Sequence, residues 1–247
     1  MRFFACALAT LLGKNVLTRG FCDEPLDCYC YPTLDLSLCS LKVFPFNNKS
    51  LSPEIKKLLL KNNKLTHIAP DAFIKLTLLS TLDLSYNKLT SINRQLLLEN
   101  INLEKLYLNG NLINSLEDGT FQNLNKLNYL TLDGNPLRSV KSNWFEGLSG
   151  LRSLSLRNIK ITSVPTLTFQ ELSSLTFLDL EYNKITVIGV NAFYSTLERI
   201  LINSDPSFLC CSRLLYQSRL RFTSQHCTYL GDLLLYNNVT RNSCTST

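Results

Sequence analysis

The sequence predicts an α/β solenoid in which short parallel strands stack along one face. Three observations lead to this fold class: a repeat of 24 residues, an asparagine in phase with it, and cysteines gathered at the two ends. A fixed period between about 20 and 50 residues is typical of solenoids. The repeat appears as an apolar column at Phe73, Leu97, Phe121, Phe145, Phe169 and Phe193. Leucines recur in the same phase at Leu58, Leu82, Leu106, Leu130, Leu154 and Leu178.

Residues 1–20 have the character of a secretory signal peptide. Arg2 precedes an apolar run from Phe3 to Leu12 that contains several small residues, and this run is too short to span a bilayer. No later segment has 18 consecutive apolar residues. We therefore expect a secreted or extracellular protein, at the cell surface if an anchor is missing from this chain, and no direct membrane insertion by the chain itself.

Eight cysteines form two groups of four that flank a cysteine-free region. The groups are Cys22, Cys28, Cys30 and Cys39, then Cys210, Cys211, Cys227 and Cys244. Even numbers of cysteines in an exported chain indicate disulfide bonds, and four cysteines allow three connectivities. Zinc binding at Cys28-x-Cys30 is the alternative, but structural zinc sites prefer two to four residues between paired cysteines. We predict cysteine caps at residues 21–54 and 203–247.

Each repeat follows the pattern L-x-x-L-x-L-x-x-N-x-L, which is complete in Leu79, Leu82, Leu84, Asn87 and Leu89. The L-x-L centre predicts a short strand whose leucines point inward while the intervening residues point outward. The asparagine then turns the chain inward, where its amide can bond backbone groups of the turn and of the neighbouring repeat. About seven repeats fill residues 55–202. Because the end coils lack a neighbour on one side, both ends need a cap.

One repeat departs from the asparagine pattern. Asn63, Asn87, Asn111, Asn135 and Asn183 keep the 24-residue phase, but Ile159 stands where the fifth repeat should have its asparagine. The flanking leucines Leu151 and Leu175 remain 24 residues apart, so this is a substitution and not a deletion. We expect a local break in the asparagine column at Ile159.

These residues resemble the extracellular, 24-residue class of leucine-rich repeat proteins with cysteine-rich flanking caps. Variable lymphocyte receptors, Toll-type ectodomains and other leucine-rich repeat receptor ectodomains share the arrangement. The resemblance covers nearly all of residues 22–244. It implies a horseshoe with a parallel sheet on the concave face, a mostly irregular convex side and disulfide-capped ends. It also implies the pairings Cys22–Cys30 and Cys28–Cys39 in the first cap, and Cys210–Cys227 and Cys211–Cys244 in the second.

Function is expected from the outward residues of the strands, because they differ between coils while the scaffold repeats. Rigid aromatic groups among short polar side chains suit protein recognition. The candidate ligand-binding residues are Asp83, Tyr86, Lys105, Tyr107, Tyr129, Asp133, Arg157, Phe177, Asp179, Glu181 and Tyr182. The sequons Asn48-Lys-Ser and Asn238-Val-Thr are candidate glycosylation sites beside the first cap and inside the second.

Other function classes have little support in the sequence. No nucleophile elbow, H-E-x-x-H motif or phosphate-binding glycine loop is present, and two histidines leave little for acid–base chemistry. We expect no enzyme activity, no cofactor and no metal site. The net charge is +6, of which Arg2, Lys14 and Arg19 supply three. The charge of about +3 that remains without residues 1–20 is too small to indicate a nucleic-acid partner or an anionic membrane.

Two functions follow from the resemblance. The first is a recognition module, either a receptor ectodomain or a soluble receptor with an immune role, that binds an extracellular protein or glycan on its concave face. The alternative is a secreted matrix or guidance-type leucine-rich repeat protein with a structural or adhesive role. An ectodomain of a hormone receptor is a third option, since adjacent cysteines also follow the repeats there. The sequence does not define the oligomeric state.

Overall fold

The structure is a computed structural model that describes residues 33–44, 51–189, 191–193 and 196–202. It also describes the backbone of three later strands, at residues 221–222, 227–230 and 233–236. The predicted signal peptide, both sequons, and Cys22, Cys28, Cys30, Cys210, Cys211 and Cys244 lie outside the described residues. So does the side chain of Cys227.

Nine short strands form one parallel sheet that runs along the solenoid. The strands are β1 Thr33–Asp35, β2 Lys57–Leu59, β3 Thr81–Asp83, β4 Lys105–Tyr107, β5 Tyr129–Thr131, β6 Ser153–Ser155, β8 Phe177–Asp179, β10 Arg199–Leu201 and β11 Arg221–Phe222. They lie in this order in the sheet, and every neighbouring pair is parallel. The α/β solenoid predicted from the 24-residue period, with about seven turns and its parallel sheet on the concave face, is therefore confirmed.

The remaining elements are short and lie between the strands of this sheet or beyond it. Strands β7 (Ser163–Val164) and β9 (Val187–Ile188) form a parallel pair, while β12 (Cys227–Leu230) and β13 (Leu233–Tyr236) form an antiparallel pair. Two 3-10 helices span Arg94–Leu97 and Ser142–Phe145. The described part of the chain contains no helix with the length and apolar character of a membrane span.

The core is a stack of leucine and phenylalanine columns between consecutive coils. Leu58, Leu82, Leu106, Leu130, Leu154 and Leu178, at the strand centres, are all fully buried. Phe73, Phe121, Phe145 and Phe169 fill the opposite side of each coil, and their burial is also complete. The rings of Phe145 and Phe169 lie 5.4 Å apart, which joins neighbouring coils. Burial of each such side chain contributes about 1.5–3 kcal/mol, but only because the next coil covers it.

The asparagine column links each coil to the next through its backbone. The amide of Asn111 donates to Leu108 O at 2.9 Å in its own turn and to Leu84 O at 3.0 Å in the preceding coil. Its Oδ1 accepts from the backbone N–H of Leu89 at 3.1 Å. Asn63, Asn87, Asn135 and Asn183 repeat this pattern. Buried amides are satisfied in this way without water.

The column breaks at Ile159, as the sequence predicts. Ile159 is fully buried and offers no carboxamide to the backbone N–H of Leu137, which corresponds to Leu89 and Ile113 in earlier repeats. Asn183 Oδ1, in the following repeat, accepts from both Ile159 N and Ile161 N, at 3.1 and 3.2 Å. Across the broken junction itself, the backbone N–H of Arg138 donates to Ile159 O at 2.9 Å. A backbone hydrogen bond thus remains where the carboxamide links are lost.

Candidate functional site

The outward positions of the parallel strands form the candidate surface, which we call the concave face. In strands β2 to β6, β8 and β10 the central residue is buried, while most of the flanking residues are half-buried or exposed. The parallel register sets residues of successive coils side by side: Asp83 lies beside Tyr107, and Lys105 beside Tyr129. Because neighbouring strands lie about 4.8 Å apart, residues far apart in sequence become neighbours on this face.

Tyr107 and Tyr129 form an aromatic pair at the centre of the concave face. Their ring centroids are 5.1 Å apart with a tilt of 41° between the planes, and both residues are half-buried. Burial raises the pKa of the Tyr107 phenol, and the Asp83 charge adds to this shift. Burial also raises the pKa of Tyr129, with added effects from Tyr107, Asp133 and Asp179. The pair is therefore neutral at physiological pH and lies in a negative electrostatic field.

Two aspartates beside this pair are held by serines. Asp83 Oδ1 accepts hydrogen bonds from Ser85 N at 2.9 Å and from Ser85 Oγ at 2.5 Å. Asp133 Oδ1 accepts from Ser155 Oγ at 2.7 Å and from the backbone N–H of Arg157 at 2.8 Å. These bonds fix each carboxylate in one orientation, so the two charges are preorganised on the face.

Arg157 is the centre of a second cluster, in the next repeats along the face. Its Nη1 donates to Asp179 Oδ2 at 2.9 Å and to Glu181 Oε2. Its guanidinium carbon lies 4.7 Å from the ring centroid of Tyr182. The hydrogen bond to Asp179 raises the pKa of Arg157, whereas burial acts in the opposite direction. Four predicted site residues are thus brought into one ion-paired, stacked network.

Asp179 differs from the other candidates because it is buried, with 4% of its surface exposed. One oxygen accepts from Arg157 and the other from the backbone N–H of Glu181 at 3.0 Å. The sequence predicts an outward contact residue at this position, but the residue is buried and its carboxylate is paired with Arg157. Its role on this face is to hold Arg157 in place.

Tyr86 and Tyr182 occupy a special backbone position, the one just before the column asparagine. This position is left-handed in six successive repeats: Asn62, Tyr86, Gly110, Gly134, Asn158 and Tyr182 have φ between 50° and 69°. Glycine and asparagine adopt this conformation easily, whereas tyrosine does so at a cost in strain. Both tyrosines are nevertheless well exposed, at 51% and 62%. The exposure of these two strained tyrosines at the rim of the concave face favours a role in binding over a role in packing.

Lys105 and Phe177 lie apart from these clusters. Lys105 is exposed and lies next to Tyr129 in the sheet register. Phe177 is half-buried, and the guanidinium carbon of Arg199 lies 5.6 Å from its ring centroid. All eleven predicted site residues are therefore on the concave face or its rim, but only some of them contact each other.

Two outward residues that the sequence places on this face, Lys61 and Arg199, were not among the candidate ligand-binding residues. Lys61 Nζ lies 5.4 Å from the ring centroid of Tyr86, and Arg199 stacks on Phe177 as described above. A signal for the first was present, because Lys61 precedes Tyr86 by 25 residues, as Arg157 precedes Tyr182. A spacing of one repeat plus one residue brings a basic side chain over the ring of the next coil.

A parallel-sheet solenoid with an unrepeated concave face and a repeated core defines a class of modular repeat proteins. Within that class, the leucine-rich repeat family profile matches residues 53–100, 101–158 and 149–204. The chain belongs to the leucine-rich repeat family. No curated protein matches it in sequence.

Solved structures with the same fold include the Toll–Spatzle complex of Drosophila and the leucine-rich repeat domain of APL1B. The glycosylated form of the Toll–Spatzle complex matches with a TM-score of 0.60 and 20% identity, over 71% of this chain and 24% of that one. Another structure of that complex gives a TM-score of 0.62 and 19% identity, over 78% and 26%. APL1B gives 0.61 and 18%, over 77% and 53%. This chain thus spans about a quarter of the Toll–Spatzle chains and about half of APL1B, and the likeness concerns the fold.

Phe44 lies in the segment that the sequence predicts as the first cap, and its ring packs edge-on against Phe73, with 5.3 Å between the ring centroids. Cys39 in this cap is buried and disulfide-bonded. The pairing with Cys28 remains a prediction, because Cys28 lies outside the described residues. Among the side chains that the structure describes, no group of three potential metal ligands comes together.

Proposed function

We propose that this protein is an extracellular recognition module that binds a protein or glycan ligand on its concave face. It acts as a receptor ectodomain or as a soluble receptor with an immune role. The observation that carries the proposal is the contrast between a repeated core and an unrepeated outer face. Buried leucines recur in every coil, while the outward neighbours of those leucines form one aromatic pair and one arginine network.

The physical character of the face supports a protein ligand. Tyrosine and arginine contribute most to binding when they are held rigidly and become desolvated in the complex. Tyr107 and Tyr129 stack on each other, and Arg157 is fixed by two carboxylates. Little side-chain entropy is therefore lost on binding. The similarity to Toll in the Toll–Spatzle complex agrees with this type of ligand.

The test is a binding screen against extracellular proteins and glycans, with the full chain produced through a secretory route. We expect at least one ligand whose binding is reduced 10-fold or more by the double change Tyr107→Ala and Tyr129→Ala, as expected for two anchor residues. The matched control is Ile74→Ala with Ile101→Ala, two exposed apolar residues outside the concave face. This control should bind like the original protein.

Binding that survives the tyrosine double change would place the site on the convex side, an edge or a cap. No binding to any member of the screen would favour the structural or adhesive role instead. Circular dichroism and thermal unfolding of both variants separate loss of a contact from loss of the fold.

A further inference from the structure

The aromatic pair lies beside two carboxylates that no cation of the described residues neutralises. Asp83 is next to Tyr107 in the register, and Asp133 follows the strand that carries Tyr129. Each aspartate uses Oδ1 to accept its hydrogen bonds. In the described residues, neither aspartate forms an ion pair and neither Oδ2 accepts a hydrogen bond. Each of the two carboxylates thus keeps one oxygen, Oδ2, that can accept a further hydrogen bond beside the phenol rings.

The charges around the pair are not cancelled locally. Besides burial, which is the largest cause, the pKa of Tyr107 is raised by Asp83, and the pKa of Tyr129 is raised by Tyr107, Asp133 and Asp179. Lys105 is the basic neighbour of Tyr129 in the register, but its side chain is exposed and forms no ion pair with the described residues. The centre of the concave face is therefore an electronegative aromatic surface.

The neighbouring repeats show which chemical group fits such a surface. There the guanidinium of Arg157 bonds to two carboxylates and stacks over a tyrosine ring. A planar guanidinium combines charge-assisted hydrogen bonds with stacking on an aromatic face, which an ammonium group does less well. Asp83, Asp133, Tyr107 and Tyr129 provide the same components, two carboxylates and tyrosine rings, but no arginine of the described residues is bound to them.

We propose that Tyr107, Tyr129, Asp83 and Asp133 together receive an arginine side chain of the protein ligand. The guanidinium stacks on the phenol pair and is attracted by the two carboxylates. This inference rests on the proposed function and specifies the partner: a protein that presents an exposed arginine at the centre of its contact surface. Lysine satisfies the charge but stacks less well, so it binds more weakly.

The test is an NMR titration of the full chain carrying ¹³C-labelled tyrosine rings. The probes are N-acetyl-arginine amide, the lysine analogue, and N-acetyl-citrulline amide, which has the shape of arginine without its charge. Tyr107→Phe and Tyr129→Phe variants assign the two ring signals. We expect arginine to shift these signals with saturation, lysine to bind more weakly, and citrulline to bind at least threefold more weakly than arginine.

Variants that remove single charges test whether the two aspartates attract the guanidinium group. Asp83→Asn and Asp133→Asn each keep the serine hydrogen bonds and should weaken arginine binding about threefold, the range for one partly exposed charge pair. Asp118→Asn removes an exposed charge elsewhere and should leave the affinity unchanged. Lys105→Ala removes the basic neighbour and should strengthen arginine binding.

Three results would overturn the proposal. The first is that arginine does not shift the ring signals of Tyr107 and Tyr129, and the second is that arginine and citrulline bind equally well. The third is that neither Asp83→Asn nor Asp133→Asn changes the affinity for arginine. The proposed function fails separately, in the ligand screen. A ligand that needs Tyr107 and Tyr129 but has no basic residue at the contact would refute the arginine subsite and leave the concave-face function standing.

Discussion

At the scale of single residues, we expect the column asparagines to contribute strongly to stability. Each column asparagine is buried and satisfies backbone groups of two coils at once, as Asn111 does with Leu84, Leu89 and Leu108. A hydrogen bond contributes about 1 kcal/mol, and a buried donor left without an acceptor costs about 1–3 kcal/mol more.

We therefore expect Asn111→Ala to lower the free energy of unfolding by about 2–4 kcal/mol. The control is Asn123→Ala, because Asn123 is exposed and bonds only Leu98 O, at 3.0 Å. That change should cost less than about 1 kcal/mol. Urea denaturation of the two variants measures the difference. Equal losses would mean that the column does not stabilise the array more than an exposed bond does.

At the scale of the elements, close packing between consecutive coils depends on glycine at a few positions. A Cβ atom on Gly147 would lie 2.0 Å from the backbone oxygen of Gln122 in the preceding coil, and the φ of Gly147 is +82°. Gly134 has a similar φ of +69°, but its nearest new contact would be 3.8 Å away. A comparison of alanine substitutions at the two glycines therefore separates the cost of a left-handed backbone from the cost of crowding between coils.

Gly134→Ala should cost about 1 kcal/mol, the penalty for a left-handed alanine. Gly147→Ala should cost about 2–4 kcal/mol, because backbone strain and overpacking add. Thermal and urea unfolding of the two purified variants provide the comparison. A Gly147→Ala variant as stable as Gly134→Ala would show that the coils separate easily at this point.

Much of this element structure could be predicted from the sequence, and for a physical reason. A strand of three residues has little preference of its own, but the 24-residue phase sets Leu82, Leu106 and Leu130 in one column and so fixes the register. The burial of Asp179 could not be predicted, because it depends on where the Arg157 side chain folds. The left-handed backbone conformation of Tyr86 and Tyr182 could not be predicted either, because tyrosine gives no sequence signal for a positive φ.

At the scale of the whole molecule, the sheet is continuous from strand β1 to strand β11, and its first strand lies in the segment that the sequence predicts as the first cap. Cys39 is buried and disulfide-bonded in the first cap, where Phe44 packs on the first coil. Because each coil is stabilised only by its neighbours, loss of a cap should weaken the array from that end.

We expect Cys39→Ala to lower the free energy of unfolding by about 2–4 kcal/mol. Cys28→Ala should have a similar effect, and the double variant should be no worse than either single one, because both remove the same predicted bond. Denaturation of the three variants, with non-reducing peptide mapping of the original protein, tests the pairing. Additive losses would show that the two cysteines belong to different bonds.

The substitution at Ile159 has a consequence for how the array opens. In a chain of coils coupled only to their neighbours, cooperativity passes from one junction to the next and is weakest where the coupling is weakest. At Leu137 the backbone N–H lacks the carboxamide acceptor that Leu89 and Ile113 have. We therefore expect the array to open more readily at this junction, although bonds from Arg138 N–H to Ile159 O and from Arg157 N–H to Asp133 Oδ1 still cross it. The tyrosine pair lies on one side of the junction and the arginine network on the other, so a ligand that contacts both clusters would hold the two sides together.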